Sequence, residues 1–285
     1  MTILNKWEVQ VFIYLLSATI FVRAFKSANR DMKDANSLTV LLEIFTALFA
    51  ILLIPLFEIK FPSDPKIYLI LLLTTIIYAV TDRLNIEARY GLDPSTFSML
   101  KQLSTVFMII FGIVFLKEEL VPIKIVGAIL IIFSNLLMSY NNGKFEINKY
   151  FVMCFFSNFL FAVAMLINVN ISDYFNLAIY TVITVSIPAL FISIFKRLSI
   201  RKLKEEFNLY KKKEFILAGA TWCLMLISSV RAYQLQSVTI VAPLFALTSL
   251  INATIELILD KDRKRFLIKL ISGLLIIIGV ILIKS

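Results

Sequence analysis

Ten apolar runs, each about as long as a membrane is thick, divide this sequence from end to end. An apolar helix needs roughly 17 to 25 residues to cross the hydrocarbon of a bilayer. Since 60% of the 285 residues are hydrophobic, a single soluble core cannot hold them. The sequence therefore predicts an all-α polytopic membrane protein with ten transmembrane helices. The runs lie at residues 7–24, 37–57, 66–90, 94–116, 122–140, 148–170, 175–195, 214–235, 237–259 and 267–283.

Two similar stretches near the ends of the two halves indicate an internal repeat. KIVGAILIIF begins at Lys124 and KLISGLLIII begins at Lys269, which gives Gly127 and Gly273 matching places. A polar turn, YNNGKFEIN, separates the halves. We therefore expect two repeats of five helices, residues 1–140 and 146–285. Because five is an odd number, the second repeat must be inverted in the membrane, as in many secondary transporters.

Lys and Arg are distributed unevenly between the two sides of the predicted bundle. The loops after odd-numbered runs hold 21 of them and the other side holds 7, and Lys101 inside a run completes the total of 29. The positive-inside rule then places the odd loops in the cytoplasm and both termini outside. The most basic loop, residues 196–213, is also expected to form a short amphipathic helix on anionic lipid. The net charge of +10 therefore predicts membrane lipid as a partner and no nucleic acid.

The residue types needed by common enzymes are missing from the sequence. It contains no histidine, so no His-based acid, base or metal ligand is possible. Cys154 and Cys223 have no CxxC partner, and we find neither a glycine-rich phosphate loop nor a GxSxG elbow. We expect no enzyme activity, no cofactor and no bound metal.

Lys101 is the ionisable residue that most needs an explanation. It lies about 10 Å along its helix from Pro94, and a charge at the bilayer centre costs roughly 2.5 to 3.5 kcal/mol on insertion scales. Residues three and four apart share a helix face, and we expect the face of Lys101 to line a solvated, substrate-binding cavity. Its members are Ser98, Lys101, Thr105 and Met108, with Gln102 beside them.

Four further residues are candidates for the same site. Arg83 and Arg231, if they reach the cavity, would add positive charge for a carboxylate or a phosphate. Tyr233, together with Gln102 and Ser98, would orient the substrate by hydrogen bonds. Glu43 is the candidate counter-ion of Lys101 in the empty site. The alternative for Glu43 is structural, as one half of an internal ion pair with Lys101 that holds two helices together.

Several of these features resemble the drug/metabolite transporter superfamily, including its EamA-type members. They are the two inverted five-helix halves, the FLKEEL segment at residues 115–120 and Gly127 in the fifth run. The resemblance implies a membrane transporter. It also implies termini in the cytoplasm, whereas the loop charges place them outside, and both orientations stay open at this point.

One local segment is similar to nucleotide-sugar transporters, such as those for CMP-sialic acid and UDP-galactose. In those proteins an Ala-Thr-Phe run precedes a Gln-Leu-Lys motif, and here the segment spans residues 78–107. Ser104 replaces the Lys of the motif, and Lys101 precedes the Gln instead. The pattern therefore implies a nucleotide-sugar substrate less strongly than it implies a transporter. The matching residues are Ser95, Thr96, Phe97, Gln102 and Leu103.

The sequence thus predicts a secondary active transporter that moves a small polar or anionic metabolite by alternating access. We expect it in the cell membrane, with a small-molecule substrate, a counter-substrate or coupling ion, and membrane lipid as partners. The alternatives are an exporter of amino acids or amphipathic drugs, a lipid-linked-sugar flippase, and a membrane subunit that transports nothing.

Overall fold

The computed structural model describes residues 5–28, 32–92, 94–119, 121–139, 147–248, 251–252, 254–255 and 266–284. Within these ranges the regular structure is helical and no strand occurs. The helices are α1 (Trp7–Ala28), α2 (Ala35–Leu53), α3 (Pro65–Gly91), α4 (Pro94–Phe115), α5 (Pro122–Ser139), α6 (Lys149–Ser172), α7 (Leu177–Phe195), α8 (Ile200–Leu209), α9 (Lys212–Leu235), α10 (Val238–Phe245) and α11 (Phe266–Lys284).

The helices follow the apolar runs of the sequence. The first eight predicted runs coincide with α1 to α7 and α9, the ninth overlaps α10, and the tenth coincides with α11. In the described residues, six segments are long and apolar enough to cross a membrane: Trp7–Ala28, Ala35–Leu56, Pro65–Asn85, Lys149–Ser172, Leu177–Phe195 and Lys212–Leu235. Shorter apolar segments lie in α4, α5 and α11. The all-α membrane class is confirmed, and the number of ten crossings stays a prediction.

The short helix α8 lies in the basic loop and is not among the candidate spans. Ser199 caps it by accepting a hydrogen bond from the backbone N–H of Lys202 at 3.1 Å. Leu203 and Phe207, one turn apart on one face, pack against the apolar core, while Arg201 and the other charged residues of the opposite face are exposed. The predicted amphipathic helix is therefore confirmed.

The chain forms two compact units, and each takes helices from both halves of the sequence. The first unit comprises residues 1–86 and 167–234, and the second comprises residues 87–166 and 235–285. The repeat boundary predicted at residues 140–146 concerns the sequence and not these units, and it lies outside the described residues. It stays a prediction.

In the first unit, α2 and α7 pack side by side in opposite directions. Near the beginning of α2, Val40 packs with Ala189 and Ile192, which lie near the end of α7. At the other end, the Asn176 side chain donates hydrogen bonds to the carbonyls of Ile54 at 3.2 Å and Phe57 at 3.0 Å. The oxygen of this amide caps α7 by accepting hydrogen bonds from the backbone N–H groups of Ala178 and Ile179. One side chain therefore both begins α7 and attaches it to the end of α2.

The first unit also brings α9 very close to α2. A Cβ atom added at Gly219 would lie 2.7 Å from the Cβ of Phe45, a distance that no larger residue tolerates without movement. Small residues allow such close approach of membrane helices. Phe45 in turn packs edge-on against the fully buried Phe215, with ring centroids 5.6 Å apart.

In the second unit, α5 and α11 form the closest pair, again in opposite directions. The Ser134 hydroxyl donates to the Ser272 carbonyl at 2.6 Å. A Cβ at Gly279 would lie 2.6 Å from the Gly127 carbonyl oxygen. Small residues at both crossing points explain the close approach. Gly127 therefore contacts Gly279.

Candidate functional site

A buried carboxylate, Glu43, lies in the middle of α2. The helix begins at Asp34, whose side chain accepts hydrogen bonds from the backbone N–H and hydroxyl of Ser37 at 3.2 and 2.6 Å. Glu43 comes about 13 Å further along the axis, inside a candidate span. Its side chain is 6% exposed. An intramembrane carboxylate of this kind is costly and generally marks an ion or substrate pathway.

Two residues of α3 share a face beside this carboxylate. Tyr78 and Asp82 are four residues apart and so lie one turn from each other. Asp82 is close enough to Glu43 for the two carboxylates to interact electrostatically, and it interacts in this way with the Tyr78 hydroxyl as well. The Asn168 amide of α6 donates a hydrogen bond to the Tyr78 hydroxyl oxygen at 2.6 Å. Three helices thus contribute polar side chains to one region of the first unit.

Tyr180 of α7 completes this group, which we call the polar cluster: Glu43, Tyr78, Asp82, Asn168 and Tyr180. Among the described residues, three buried atoms of the cluster have no hydrogen-bond partner. They are Glu43 Oε2, Asn168 Oδ1 and Tyr180 Oη. Buried polar atoms in native proteins are almost always paired with protein, water or a ligand. The cluster therefore has the unused bonding capacity of a binding site.

The two carboxylates of the polar cluster determine what it can bind. Two negative charges repel each other strongly in a low-dielectric interior, and a cation between or beside Glu43 and Asp82 would relieve that repulsion. Hydroxyl and amide oxygens are suitable additional ligands for a hydrated cation. No three His, Cys, Asp or Glu residues come together as a metal site in the part of the chain that the structure describes.

The other predicted site residues of the first unit are placed differently. Arg83 follows Asp82 on α3, is exposed, and lies over the Phe195 ring at 5.3 Å from its centroid. Arg231 donates hydrogen bonds to the Gln234 side chain at 3.0 Å and to the Asn5 side chain at 3.1 Å. Tyr233 is buried. The partners named here for Arg83 and Arg231, which are Phe195, Gln234 and Asn5, do not belong to the polar cluster.

Lys101 and its neighbours lie in the second unit, on α4. Lys101 is half-buried, and its ammonium lies 6.0 Å from the centroid of the Phe97 ring. Ser98 and Gln102 are both within α4, and their side chains lie outside the described part of the structure. The pairing of Lys101 with Glu43 joins residues of different units and stays a prediction.

A second carboxylate, Glu118, has a very different environment. It follows α4 in the FLKEEL segment and accepts hydrogen bonds from the backbone N–H groups of Val238 at 2.6 Å and Thr239 at 2.9 Å. These groups begin α10, where Ser237 provides no side-chain cap of its own. Glu118 thus caps α10 from a distant part of the sequence, and its negative charge also suits the positive end of the helix dipole.

A cavity of about 270 Å³ adjoins this cap in the second unit. It combines charged and polar side chains with the apolar sides of α4, α5 and α10. The predicted Lys101 face does not contribute to it, since the residues of α4 that line it are Ile109 and Ile113. The prediction that the Lys101 face lines a cavity of its own is therefore untested. The polar lining residues are Glu118, Glu119, Lys124, Gln236, Ser237 and Thr239.

Outside the candidate spans, Asp34 and Glu206 connect α8 to the beginning of α2. Buried Glu206 accepts hydrogen bonds from the backbone N–H of Lys33 at 2.7 Å and of Asp34 at 3.2 Å. Lys202 forms a 3.0 Å ion pair with Asp34. Partial burial raises the pKa of Asp34, but hydrogen bonds from Ser37, Lys202 and Asn36 and the charge of Lys202 outweigh it, and the pKa falls to about 2.

Sequence reasoning selected Glu43 but missed most of the polar cluster. Tyr78 and Asp82 carry a usable signal, because polar residues four apart in an apolar run share a face. Asn168 and Tyr180 could not be assigned to the same place, since nothing local in the sequence specifies which helices meet. Glu118 was noticed within FLKEEL, but only as a point of resemblance.

Comparison with known proteins finds a family that is similar to the first half of the chain. Residues 6–140 match the EamA-like transporter family. The match covers α1 to α5 and just under half of the chain. It suggests transport across a membrane. Together with the six apolar helices it supports an integral, multi-pass membrane protein. No curated protein matches the sequence.

A solved crystal structure, described only as that of a protein, has a similar fold. The TM-score is 0.71, and the alignment covers 97% of this chain and 98% of the other. The sequence identity is 10%, so the likeness concerns the fold alone. It extends over both halves, whereas the EamA match is confined to the first.

Proposed function

We propose that the protein is a secondary active transporter of the cell membrane that moves a small polar or anionic metabolite by alternating access. The observation that carries this proposal is the EamA match over residues 6–140. The polar cluster adds to it, because ionisable residues inside a span usually belong to a transport pathway. The two findings fall in the same helices, since Glu43, Tyr78 and Asp82 all lie within the matched region.

The directions of the packed helices support an inverted repeat. In such a repeat, helices with the same place in the two halves run in opposite directions. This holds for α2 with α7, which are second in their halves, and for α5 with α11, which are fifth. It holds also for α4 with α10, since Glu118 after the end of α4 caps the beginning of α10. Rocking of one repeat against the other would then alternate the access.

Substrate recognition is assigned to the polar residues predicted on α4. Lys101 would bind a carboxylate or phosphate group by a charge-assisted hydrogen bond. Ser98 and Gln102, within one turn of Lys101, would orient the rest of the molecule. Tyr233 and Arg231 belong to the first unit, and their part in substrate recognition stays a prediction. The similarity of residues 78–107 to nucleotide-sugar transporters makes a nucleotide sugar one substrate class to test.

The polar cluster is assigned to the coupling ion. Glu43 and Asp82 would bind a cation, H⁺ or Na⁺, whose entry and release change the relative stability of the two open states. A ligand shifts such an equilibrium only through its different affinity for the two states. The repulsion between the buried carboxylate of Glu43 and the half-buried carboxylate of Asp82 would supply that difference if the helices that carry them move apart.

A binding screen and a transport assay test the substrate site. Purified protein would first be heated with a panel of phosphorylated and carboxylated metabolites, including CMP-sialic acid and UDP-galactose, because a bound ligand raises the apparent stability. Uptake of the selected metabolite would then be measured in proteoliposomes. Lys101→Ala is expected to lower uptake at least tenfold, while Lys66→Ala, which removes an exposed cation, leaves it unchanged. Unchanged uptake by Lys101→Ala would refute the assignment.

A further inference from the structure

The outer surface of α7 ends in an abrupt change from apolar to basic residues. Leu190, Phe191, Ile194 and Phe195 are exposed, and Phe195 alone is 64% exposed. Leu190 and Ile194 are four residues apart, as are Phe191 and Phe195, so the two pairs run side by side along the helix surface. Because α7 is long and apolar enough to cross a membrane, this face is suited to contact lipid tails.

Cations follow directly where the apolar face stops. Lys196 and Arg197 come next in the chain and are exposed, and Arg201, four residues after Arg197, is also exposed. Arg201 forms a solvent-exposed ion pair with Glu205 at 2.8 Å, from which an anionic headgroup would have to recruit it. No acidic residue occurs between residues 196 and 204. Ile200, which lies between the cations, is 85% exposed. A basic group bordered by exposed apolar side chains matches the depth at which headgroups meet tails.

Arg83 adds a cation from another helix. Its guanidinium lies 5.3 Å from the centroid of the Phe195 ring, a distance typical of a cation–π contact. Phe195 is the last residue of α7. Arg83 is therefore brought beside the cations that follow α7, even though more than a hundred residues separate them in sequence.

The turn after α7 is fixed by its own hydrogen bonds. The N–H of Leu198 donates to the Ser193 carbonyl at 2.9 Å, and the N–H of Arg197 donates to the Ile194 carbonyl at 3.1 Å. This is the Schellman arrangement, in which the residue at the position of Arg197 is usually glycine. Arg197 has a φ of 50°. An arginine therefore occupies a backbone position that favours a residue without a side chain.

The basic surface continues on α8, which is held in place from beneath. Buried Glu206 accepts from the backbone N–H groups of Lys33 and Asp34. Leu203 and Phe207 pack on the same side as Glu206 against the apolar core. Arg201 is consequently held on the exposed side of a helix whose opposite side is fixed.

We propose that Arg83, Lys196, Arg197 and Arg201 bind the phosphate headgroup of an anionic phospholipid at the end of α7. Four cations from two parts of the chain complement the negative phosphate, and the apolar face of α7 accommodates the acyl chains. A soluble anion would use only the first of these features. The positive-inside rule predicts the cytoplasmic side for this loop, where anionic lipids attract basic segments. This site is independent of the transport proposal.

Lipid titration followed by native mass spectrometry tests the site. The protein would be titrated with phosphatidylglycerol or phosphatidylcholine in detergent, and the bound lipid counted. Each surface cation contributes about a fivefold change in affinity for anionic lipid. The variant Arg83→Gln/Arg197→Gln/Arg201→Gln is expected to lose phosphatidylglycerol affinity on the order of a hundredfold if the effects add. Affinity for phosphatidylcholine should not change.

A control with the same change in charge separates a site from a general effect of net charge. The variant Lys6→Gln/Lys60→Gln/Lys66→Gln removes three exposed cations elsewhere and is expected to keep its phosphatidylglycerol affinity within about twofold. An equal loss in both triple variants would overturn the proposal, as would unchanged affinity in the first. Displacement of bound phosphatidylglycerol by millimolar inorganic phosphate would also overturn it, because the site would then recognise a free anion.

Arg197→Gly guards against a loss of binding that comes only from misfolding. Glycine suits the left-handed backbone at this position, so the variant should be at least as stable as the parent in thermal unfolding. It should nevertheless bind phosphatidylglycerol about fivefold more weakly. Unchanged affinity in this stable variant would contradict the proposal regardless of how the triple variant folds.

Discussion

Glu43 and Glu118 are both glutamates, but their carboxylates have opposite hydrogen-bonding environments in the two units. Glu118, in the second unit, accepts two backbone hydrogen bonds at 2.6 and 2.9 Å and caps α10. Glu43, in the first unit, is 6% exposed, and its Oε2 atom has no hydrogen-bond partner among the described residues. The Glu43 carboxylate interacts electrostatically with another carboxylate, that of Asp82.

The difference separates a structural carboxylate from a functional one. Glu118 stabilises the fold because both of its oxygens are used. Glu43 is costly where it lies, and nothing described around it offsets that cost. A polar group that a fold retains without a partner generally has a ligand. Substitutions should therefore affect stability through Glu118 and transport through Glu43.

The largest effect on stability is expected for Glu118→Ala. It leaves two N–H groups of α10 without their acceptor and removes an anion from a helix N-terminus. We expect a loss of about 2 to 3 kcal/mol. Glu118→Gln keeps one acceptor oxygen and should lose about 1 kcal/mol. Thermal unfolding in detergent measures both. Equal stability of the parent and Glu118→Ala would show that the cap does not matter.

Close helix contacts in the two regions should differ in a similar way. Gly219→Ala places a methyl group 2.7 Å from the Cβ of Phe45, which is fixed to backbone, so we expect a loss of about 1 to 3 kcal/mol. Gly112→Ala places it 3.0 Å from an oxygen of Glu118, which can shift slightly, so the loss should be smaller. The reverse order of unfolding temperatures would contradict the described packing.

Glu43→Gln should change stability least among the buried substitutions. Glutamine has nearly the same shape and cannot carry the negative charge that faces Asp82. We expect a free energy of unfolding within about 1 kcal/mol of the parent or above it. Thermal unfolding of the two variants side by side gives the answer. A strongly destabilised Glu43→Gln would mean that Glu43 holds the fold together, as Glu118 does.

The effect expected for Asp34 is small and depends on pH. Its pKa is about 2 in the folded protein, below the ordinary value of 3.8. Its contribution to stability is therefore fully present above pH 4 and is lost as the pH falls toward 2. Asp34→Asn should lower the unfolding temperature at pH 7 by a few degrees and converge with the parent near pH 2. A constant difference at every pH would contradict this assignment.

The helices could be predicted from the sequence because membrane thickness fixes the length of an apolar run. Even α8 followed from the strongly basic loop at residues 196–213. The exact contacts did not follow, because they depend on which helices meet. Gly127 packs against Gly279, for example, and residue pairing of this kind is decided by tertiary packing.

The candidate site could be predicted only in part for the same reason. Lys101 and Glu43 were selected because a charge in an apolar run is costly wherever it lies. The hydrogen bond between Asn168 and Tyr78 spans 90 residues, and that between Val238 and Glu118 spans 120. Neither partner identifies the other in the sequence. Arg83 was a candidate if it reached the cavity; it is exposed and lies over the Phe195 ring, and its part in the substrate site stays a prediction.

Uptake into proteoliposomes under an imposed cation gradient tests the central claim most directly. The parent, Glu43→Gln and Glu118→Gln would be reconstituted in equal amounts, with an H⁺ gradient in one arm and a Na⁺ gradient in the other. We predict that one gradient accelerates uptake of the selected metabolite by the parent and by Glu118→Gln, and that Glu43→Gln shows no acceleration. Gradient-driven uptake that persists in Glu43→Gln, or that is lost equally in both variants, would contradict the account.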